Sequence, residues 1–458
     1  MYIKNIADTL HWLYQLRNNP FKLKLLLRLP QALVIIIKDG KFNEFKWDLL
    51  REAKYFFAKY FNRQRFFCSR QPLVIDEVMI VSNPDGFNGM QNYLKQKATY
   101  LTPLNESFTC AFLDYRSVLW VSLQKDKTCL YKSMARGDHP QKIHQFQKGI
   151  KTIFITRQGT IFIVVPGEVF KSNDLGQTFK KVLDLSAQQS FARECTITEN
   201  KNGEILLGEY ANIKKGDDTW QSVAMIHLTA DDGESWIRSD FLMKDGVNKH
   251  VHLLKSDAHG NLFLAEGDNK KRLWMNKIKF EAMKDKSSLK LNTGWYKIRK
   301  GGLQTGGYIA AVFANSYKLF GTDYSGGTNY IIKTEDNRNF SKKLIPDPYR
   351  RNPVYELLLC NSLNKKEIIV ASTINQVRLN KSRSAIFFSE DSGNQWTKFL
   401  EYQGIEFKMH IITNTRYADP VDWFLISGYK RYAIGADDPT DEVLFTCRID
   451  ITDLQIKD

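Results

Sequence analysis

The chain has 458 residues, of which 43% are hydrophobic and 25% charged, a balance that excludes a chain dominated by disorder and leaves room for one large repeat domain plus a smaller element. Sixty-six Lys or Arg against 50 Asp or Glu give a formal charge of +16, which favours anionic partners such as acidic glycans, phosphate-bearing lipids or nucleic acid. The six cysteines, Cys68, Cys110, Cys129, Cys195, Cys360 and Cys447, form no CxxC pair or metal-ligand cluster and read as reduced core residues.

Met1 to Asp8 show no apolar core followed by a small-residue cleavage site, so a cytoplasmic protein is expected. The run Leu23 to Ile37 is interrupted by Lys24, Arg28 and Pro30; it is too short to span a bilayer but able to lie on one. Residues 1–72 read as a basic segment of helices separated by Pro20, Pro30 and Asp39-Gly40. Through Arg70 there are fourteen Lys or Arg and five Asp or Glu, a surplus of nine. Positions Trp47, Leu50, Lys54, Phe57, Ala58 and Phe61 roughly follow helical spacing. The pattern fits a basic amphipathic helix resting on an anionic membrane surface or a partner, and equally a helix docked on the rest of the chain.

From residue 73 to 458 the pattern is all-β: short runs of Val, Ile, Phe, Tyr and Thr broken by Gly, Asn and Asp. One turn signature recurs in Ser172-Asn-Asp-Leu-Gly-Gln-Thr-Phe179, Thr229-Ala-Asp-Asp-Gly-Glu-Ser-Trp236 and Ser389-Glu-Asp-Ser-Gly-Asn-Gln-Trp396. Asp174, Asp231 and Asp391 should accept bonds from turn amides, Gly176, Gly233 and Gly393 should supply a positive φ, and the aromatic residue should start the next strand with a buried ring. Lys333-Thr-Glu-Asp-Asn-Arg-Asn-Phe340 is a degenerate copy without the glycine. Asp174 and Asp231 are 57 residues apart and Asp336 and Asp391 are 55 apart, while the 105 between Asp231 and Asp336 leave room for one eroded copy ending near Trp274 to Trp295. Adding copies around Phe108 to Ser133 and His410 to Ile449 predicts a seven-bladed β-propeller, or a six-bladed one if the terminal pieces combine. The three turns resemble the Asp-box, or BNR, repeat of the sialidase superfamily, in which the box joins the third and fourth strands of a blade and is structural.

Propeller topology places functional groups on the face opposite those turns, where each first strand begins and each second strand ends. This selects Arg193, Glu194, Glu209 and Tyr210 in the third blade, and Lys249, His250, His252, Glu266 and Asp268 in the fourth. It selects Gln304, Tyr308, Asp323, Tyr324 and Asn329 in the fifth, then Tyr355, Glu356, His410 and Tyr429 in the sixth and seventh. His250 and His252, two apart on a strand, should point to one side about 7 Å apart, a pairing suited to a divalent metal or a proton relay.

Gly208-Glu-Tyr210, His250-Val-His252 with Asp257, Gly267-Asp268, Gln304, and Gly321-Thr-Asp323 with Asn329 resemble a bacterial BNR-like propeller family of uncharacterised function, over roughly residues 190–335. This chain departs from that pattern at Lys249 and Gly307, where the family carries arginines. Sialidase chemistry is disfavoured. Arg193 has only Arg157 and Arg351 as companions for a three-arginine carboxylate site, and the neighbours Glu209-Tyr210 and Tyr355-Glu356 point apart on a strand.

Three functions remain open. In a glycoside hydrolase, two carboxylates among Glu209, Asp268 and Asp323 would flank the scissile bond. In a polysaccharide lyase, His250, His252 or Tyr210 would remove the proton beside a uronate carboxylate neutralised by Arg193, Lys249 or a metal. By analogy with propeller lyases that hold manganese through histidines and a glutamine, His250, His252, Gln304 and His410 are the candidate metal set. The third is a non-catalytic propeller that binds a glycan or protein partner. The expected ligand is an acidic glycan, met inside the cell during envelope or surface polysaccharide production, with Asn329, Tyr355 and His410 among its contacts. No nucleic-acid motif accompanies the charge.

Overall fold

The computed structural model describes residues 27, 29–38, 46, 67–68, 72–81, 86–97, 100–134, 136–213, 221–244, 250–267, 272–276, 294–298, 307–324, 326–361, 367–414, 422–431 and 442–451. The chain forms two compact units, one of residues 1–65 with 326–328, the other of 66–325 with 329–458. In the first, Leu29–Lys38 is a helix that buries Ala32 and Ile36, one turn apart, and exposes Val34 and Ile37. The amphipathic pattern over Trp47 to Phe61 lies outside the described residues. Among the described residues no helix is long and apolar enough to cross a membrane.

The second unit is a β-propeller of seven blades, each a four-stranded antiparallel sheet at its heart. From inner to outer strand, blade one runs from Phe108–Leu113 to Gln141–Gln145, blade two from Thr152–Ile155 to Lys180–Asp184, and blade three from Ile197–Glu199 to Ile237–Ser239. Blade four runs from Val251–Ser256 to Trp295–Lys297, blade five from Gly307–Phe313 to Phe340–Leu344, and blade six from Val354–Asn361 to Trp396–Tyr402. Blade seven is Phe407–Ile411, Trp423–Lys430 and Glu442–Asp450, completed on its outer edge by Leu101–Pro103. The terminal pieces are therefore two separate blades, and seven is the number. A second clasp joins the ring where Thr413–Asn414 pairs in parallel with Ala111 and Phe112 of blade one. The outer strand of blade six takes two further short strands, Phe67–Cys68 and Leu73–Val74, along its edge.

The acidic turns owe their shape to one hydroxyl. Ser172 Oγ accepts the Gly176 amide at 2.9 Å and donates to Asp174 Oδ1 at 2.7 Å; Thr229 does the same for Gly233 and Asp231 at 2.8 and 2.9 Å, and Ser389 for Gly393 and Asp391 at 3.0 and 2.8 Å. The carboxylates then accept from the far side of the turn, as Asp174 does from the Thr178 amide and hydroxyl. The glycines have φ between 78° and 87°, and each leans on the preceding blade. A Cβ would come within 2.7 Å of Ile143 at Gly176, 2.7 Å of Phe162 at Gly233 and 2.9 Å of Leu319 at Gly393.

Blade one holds a copy that the sequence pattern concealed. Ser133 Oγ accepts the Gly137 amide at 3.1 Å across the same four-residue step, Gly137 has φ 107°, and a Cβ there would meet Leu104 at 2.7 Å, although no acid stands between them. In blade five Asn337 takes the positive φ at 59°, and Thr334 Oγ1 accepts its amide at 3.0 Å. Asn tolerates that conformation through its short polar side chain.

Phe179 and Trp236 pack into the core of blades two and three, and Trp396 is wholly buried between blades five and six. Trp396→Ala is expected to destabilise the propeller by about 3–5 kcal/mol, read as a lowered urea midpoint.

Candidate functional site

First strands begin and second strands end on the face opposite the acidic turns, and the side chains there meet around the central channel. His250 and His252 lie closer than strand spacing alone predicts: their ring centroids are 4.8 Å apart and their Nε2 atoms 2.9 Å apart. A register shift between Val251 and Leu253 and the lack of a side chain at Gly267 and Gly307 accommodate the approach. A Cβ at Gly267 would fall 2.6 Å from His250 Cδ2, and one at Gly307 3.3 Å from His252 Nδ1. His250 Nδ1 contacts the Ala211 carbonyl at 2.8 Å, so that nitrogen carries the proton. Tyr210 lies against His250 with centroids 3.9 Å apart.

Arg193 extends this cluster across the channel. Its guanidinium lies 5.2 Å from the centre of the Tyr210 ring in blade three and 5.7 Å from that of Tyr355 in blade six. Tyr355 in turn meets His410 edge-on at 5.5 Å, and His410 meets Tyr429 at 5.2 Å. Glu356 Oε1 is 2.6 Å from His410 Nδ1, and Ser372 donates to its other oxygen. Burial first, and then the charge of Asp323, push the Tyr355 hydroxyl well above the ordinary phenol range, so it stays protonated. A void of about 60 Å³ is lined by Cys195, Lys255, Ala311, Tyr355, Leu358 and Ile412.

Several expected residues have other work. Glu209 is fully buried with both oxygens engaged: it accepts the Ser186 amide at 3.0 Å and hydroxyl at 2.5 Å, and lies 2.7 Å from His227 Nε2. It joins blade three to the loop after blade two and does not serve the channel mouth. Asn329 is equally occupied: its Oδ1 accepts from the Tyr324 amide and the Thr322 hydroxyl, and its Nδ2 donates to the Tyr324 and Arg350 carbonyls. Glu266 forms a buried two-pronged pair with Arg272.

Asp257 and Arg157 stand in the turns after the first strands, on the opposite face. There Asp257 caps two turn amides and pairs with Lys318 at 3.1 Å. Lys249, Asp268 and Gln304 lie outside the described residues, so of the expected metal set only His250, His252 and His410 are placed. Among the described residues no group of three or more His, Cys, Asp or Glu is arranged to hold a metal.

No family model matches the chain, and no curated protein matches it. Among solved structures it is similar to YCF48 from Cyanidioschyzon merolae, at 9% identity over 76% of this chain and 97% of that one, TM-score 0.45. It is similar to YCF48 bound to D1 peptide, at 12% over 78% and 96%, TM-score 0.47. Selenomethionine-substituted virginiamycin B lyase from Staphylococcus aureus is a third, at 13% over 76% and 97%, TM-score 0.48. The seven sheets themselves define the fold.

Burial alone would raise the Glu209 carboxyl, but the bonds from His227 and Ser186 outweigh it and hold the group below its ordinary value. A depressed carboxyl contributes stability above the pKa of the unfolded chain and loses it as the pH falls through the lower folded value. Glu209→Ala should therefore cost about 3–5 kcal/mol near neutrality. In melting experiments, the difference in Tm between wild type and Glu209→Gln should narrow as the solution is acidified through the Glu range.

Proposed function

We propose that the channel mouth recognises an acidic glycan and cleaves it by β-elimination beside a uronate carboxylate. The supporting observation is Arg193. Its side chain is 14% exposed, lies against two aromatic rings, and has as its nearest carboxylate among the described residues Glu194 at 3.9 Å. A guanidinium offers five N–H donors, and burying one without a close acceptor is costly, which makes this arrangement a prepared site for an anion. Of the three carboxylates that hydrolysis could use, Glu209 is occupied and Asp268 lies outside the described residues, whereas the base and acid that elimination needs are both placed.

In this reading Arg193 neutralises the uronate carboxylate and lowers the barrier to removing the adjacent carbon-bound proton. Glu356 accepts the Nδ1 proton of His410, leaving Nε2 as the nitrogen that takes it. The electron pair forms the carbon–carbon double bond, the bond from the neighbouring carbon to the glycosidic oxygen breaks, and Tyr355 returns a proton to that oxygen. No water is consumed. The acidic turns support grouping this propeller with the Asp-box proteins. The basic surplus in residues 1–72, with Leu27, Val34 and Ile37 exposed, supports work in the cytoplasm at an anionic membrane surface. Sedimentation of the full chain with anionic but not zwitterionic vesicles checks that placement.

The deciding assay incubates the protein with acidic oligosaccharides and follows product mass and the ultraviolet absorbance of the conjugated double bond. Fragments summing to the parent mass are expected, with activity falling about 10²–10⁴-fold in His410→Ala and by a similar factor in Arg193→Ala. Fragments that gain a water would replace elimination by hydrolysis. Binding without product would make the propeller a recognition platform.

A further inference from the structure

A succession of aromatic rings, each with a cation at its face or an imidazole at its edge, crosses the mouth. Lys151, exposed just before the first strand of blade two, holds its Nζ 5.9 Å from the centre of the Phe191 ring. Phe191 and Tyr210 are paired through their backbones, with ring centroids 5.4 Å apart. Arg193 then bridges Tyr210 to Tyr355 at 5.2 and 5.7 Å, His410 follows Tyr355 at 5.5 Å, and Tyr429 follows His410 at 5.2 Å. At the far end Lys408 Nζ lies 5.7 Å over the Tyr429 ring. Phe191, Tyr210, Tyr355 and Tyr429 are each partly exposed.

We infer that this row is an extended binding track for a polyanionic glycan, with one charged sugar centred on Arg193 and further charged sugars on either side toward Lys151 and Lys408. The inference rests on the anionic-glycan reading above and adds chain length to it. An aromatic face accepts the apolar C–H face of a pyranose, while a cation beside it reads the ring carboxylate, so alternation of the two suits a polymer with a charge on successive sugars. A single small acid would need only Arg193 and one ring. Lys151 belongs to blade two and Lys408 to blade seven, each beside the last ring at its end of the succession.

Calorimetric titration of the full chain with a size ladder of polyuronate oligomers tests the track. Affinity is expected to rise with each added sugar until the row is filled. Lys151→Gln and Lys408→Gln should each reduce that gain by about two- to fivefold on the longer oligomers, and the pair together should flatten the ladder. Affinity independent of length, or lysine variants that weaken every oligomer by the same factor, would overturn the track while leaving the Arg193 site standing. No binding of any oligomer would overturn both readings. A polyglutamate ladder run alongside gives the remaining outcome: length-dependent binding of the peptide and not of the sugar would replace the glycan with an acidic protein segment.

Discussion

The propeller depends on a hydroxyl that ends the third strand of blades one, two, three and six and accepts the amide four residues on. That bond sets the turn, and in these four blades the amide belongs to a glycine whose missing side chain is occupied by the blade before it. Ile143, Phe162, Leu319 and Leu104 fill those positions for Gly176, Gly233, Gly393 and Gly137. Local conformation and packing between blades are thus decided at one atom position. The carboxylate is an addition to this arrangement: Asp174, Asp231 and Asp391 tie down the far side of the turn, and blade one does without.

This hierarchy explains how much of the fold was legible. The pattern of hydroxyl, Asp, Gly and aromatic located three blades because all its parts survive there, and strand periodicity with spacing supplied the others. Ser133 and Gly137 escaped notice because the acid, the most visible part of the motif, is the dispensable one. The turns after the first strands repeat as well: Asp114, Asn200 and Asp257 each accept amides two and four residues ahead. An Asp read as part of a site can therefore be a turn residue on the wrong face, as Asp257 is.

The mouth was legible as a region but less so residue by residue. Topology fixes which end of a strand faces the channel, and Arg193, Tyr210, His250, His252, Tyr355 and His410 are assembled as that rule requires. It does not fix which side of a blade a residue takes. Glu209 and Tyr210 are neighbours, and the alternation that brings Tyr210 to the channel turns Glu209 into the protein, where Ser186 and His227 wait for it. Those two partners, 23 and 18 residues away, are what sequence spacing cannot supply. Glu356 was equally hard to rank beforehand, because its importance comes from His410 in the next blade.

Ring closure has a consequence for how the molecule forms. Leu101–Pro103 is the first strand of the seven blades to leave the ribosome, yet its partner, Glu442–Asp450, is the last. Until then the early strand has an unpaired edge, and blades one to six can stack as an open arc with no closed channel. Pairing so distant in sequence is slow because the intervening loop must be closed first. The mouth, which needs Arg193 of blade three against Tyr355 of blade six and His410 of blade seven, is consequently among the last parts of the molecule to be completed: a nascent chain can stack six blades before its site is whole.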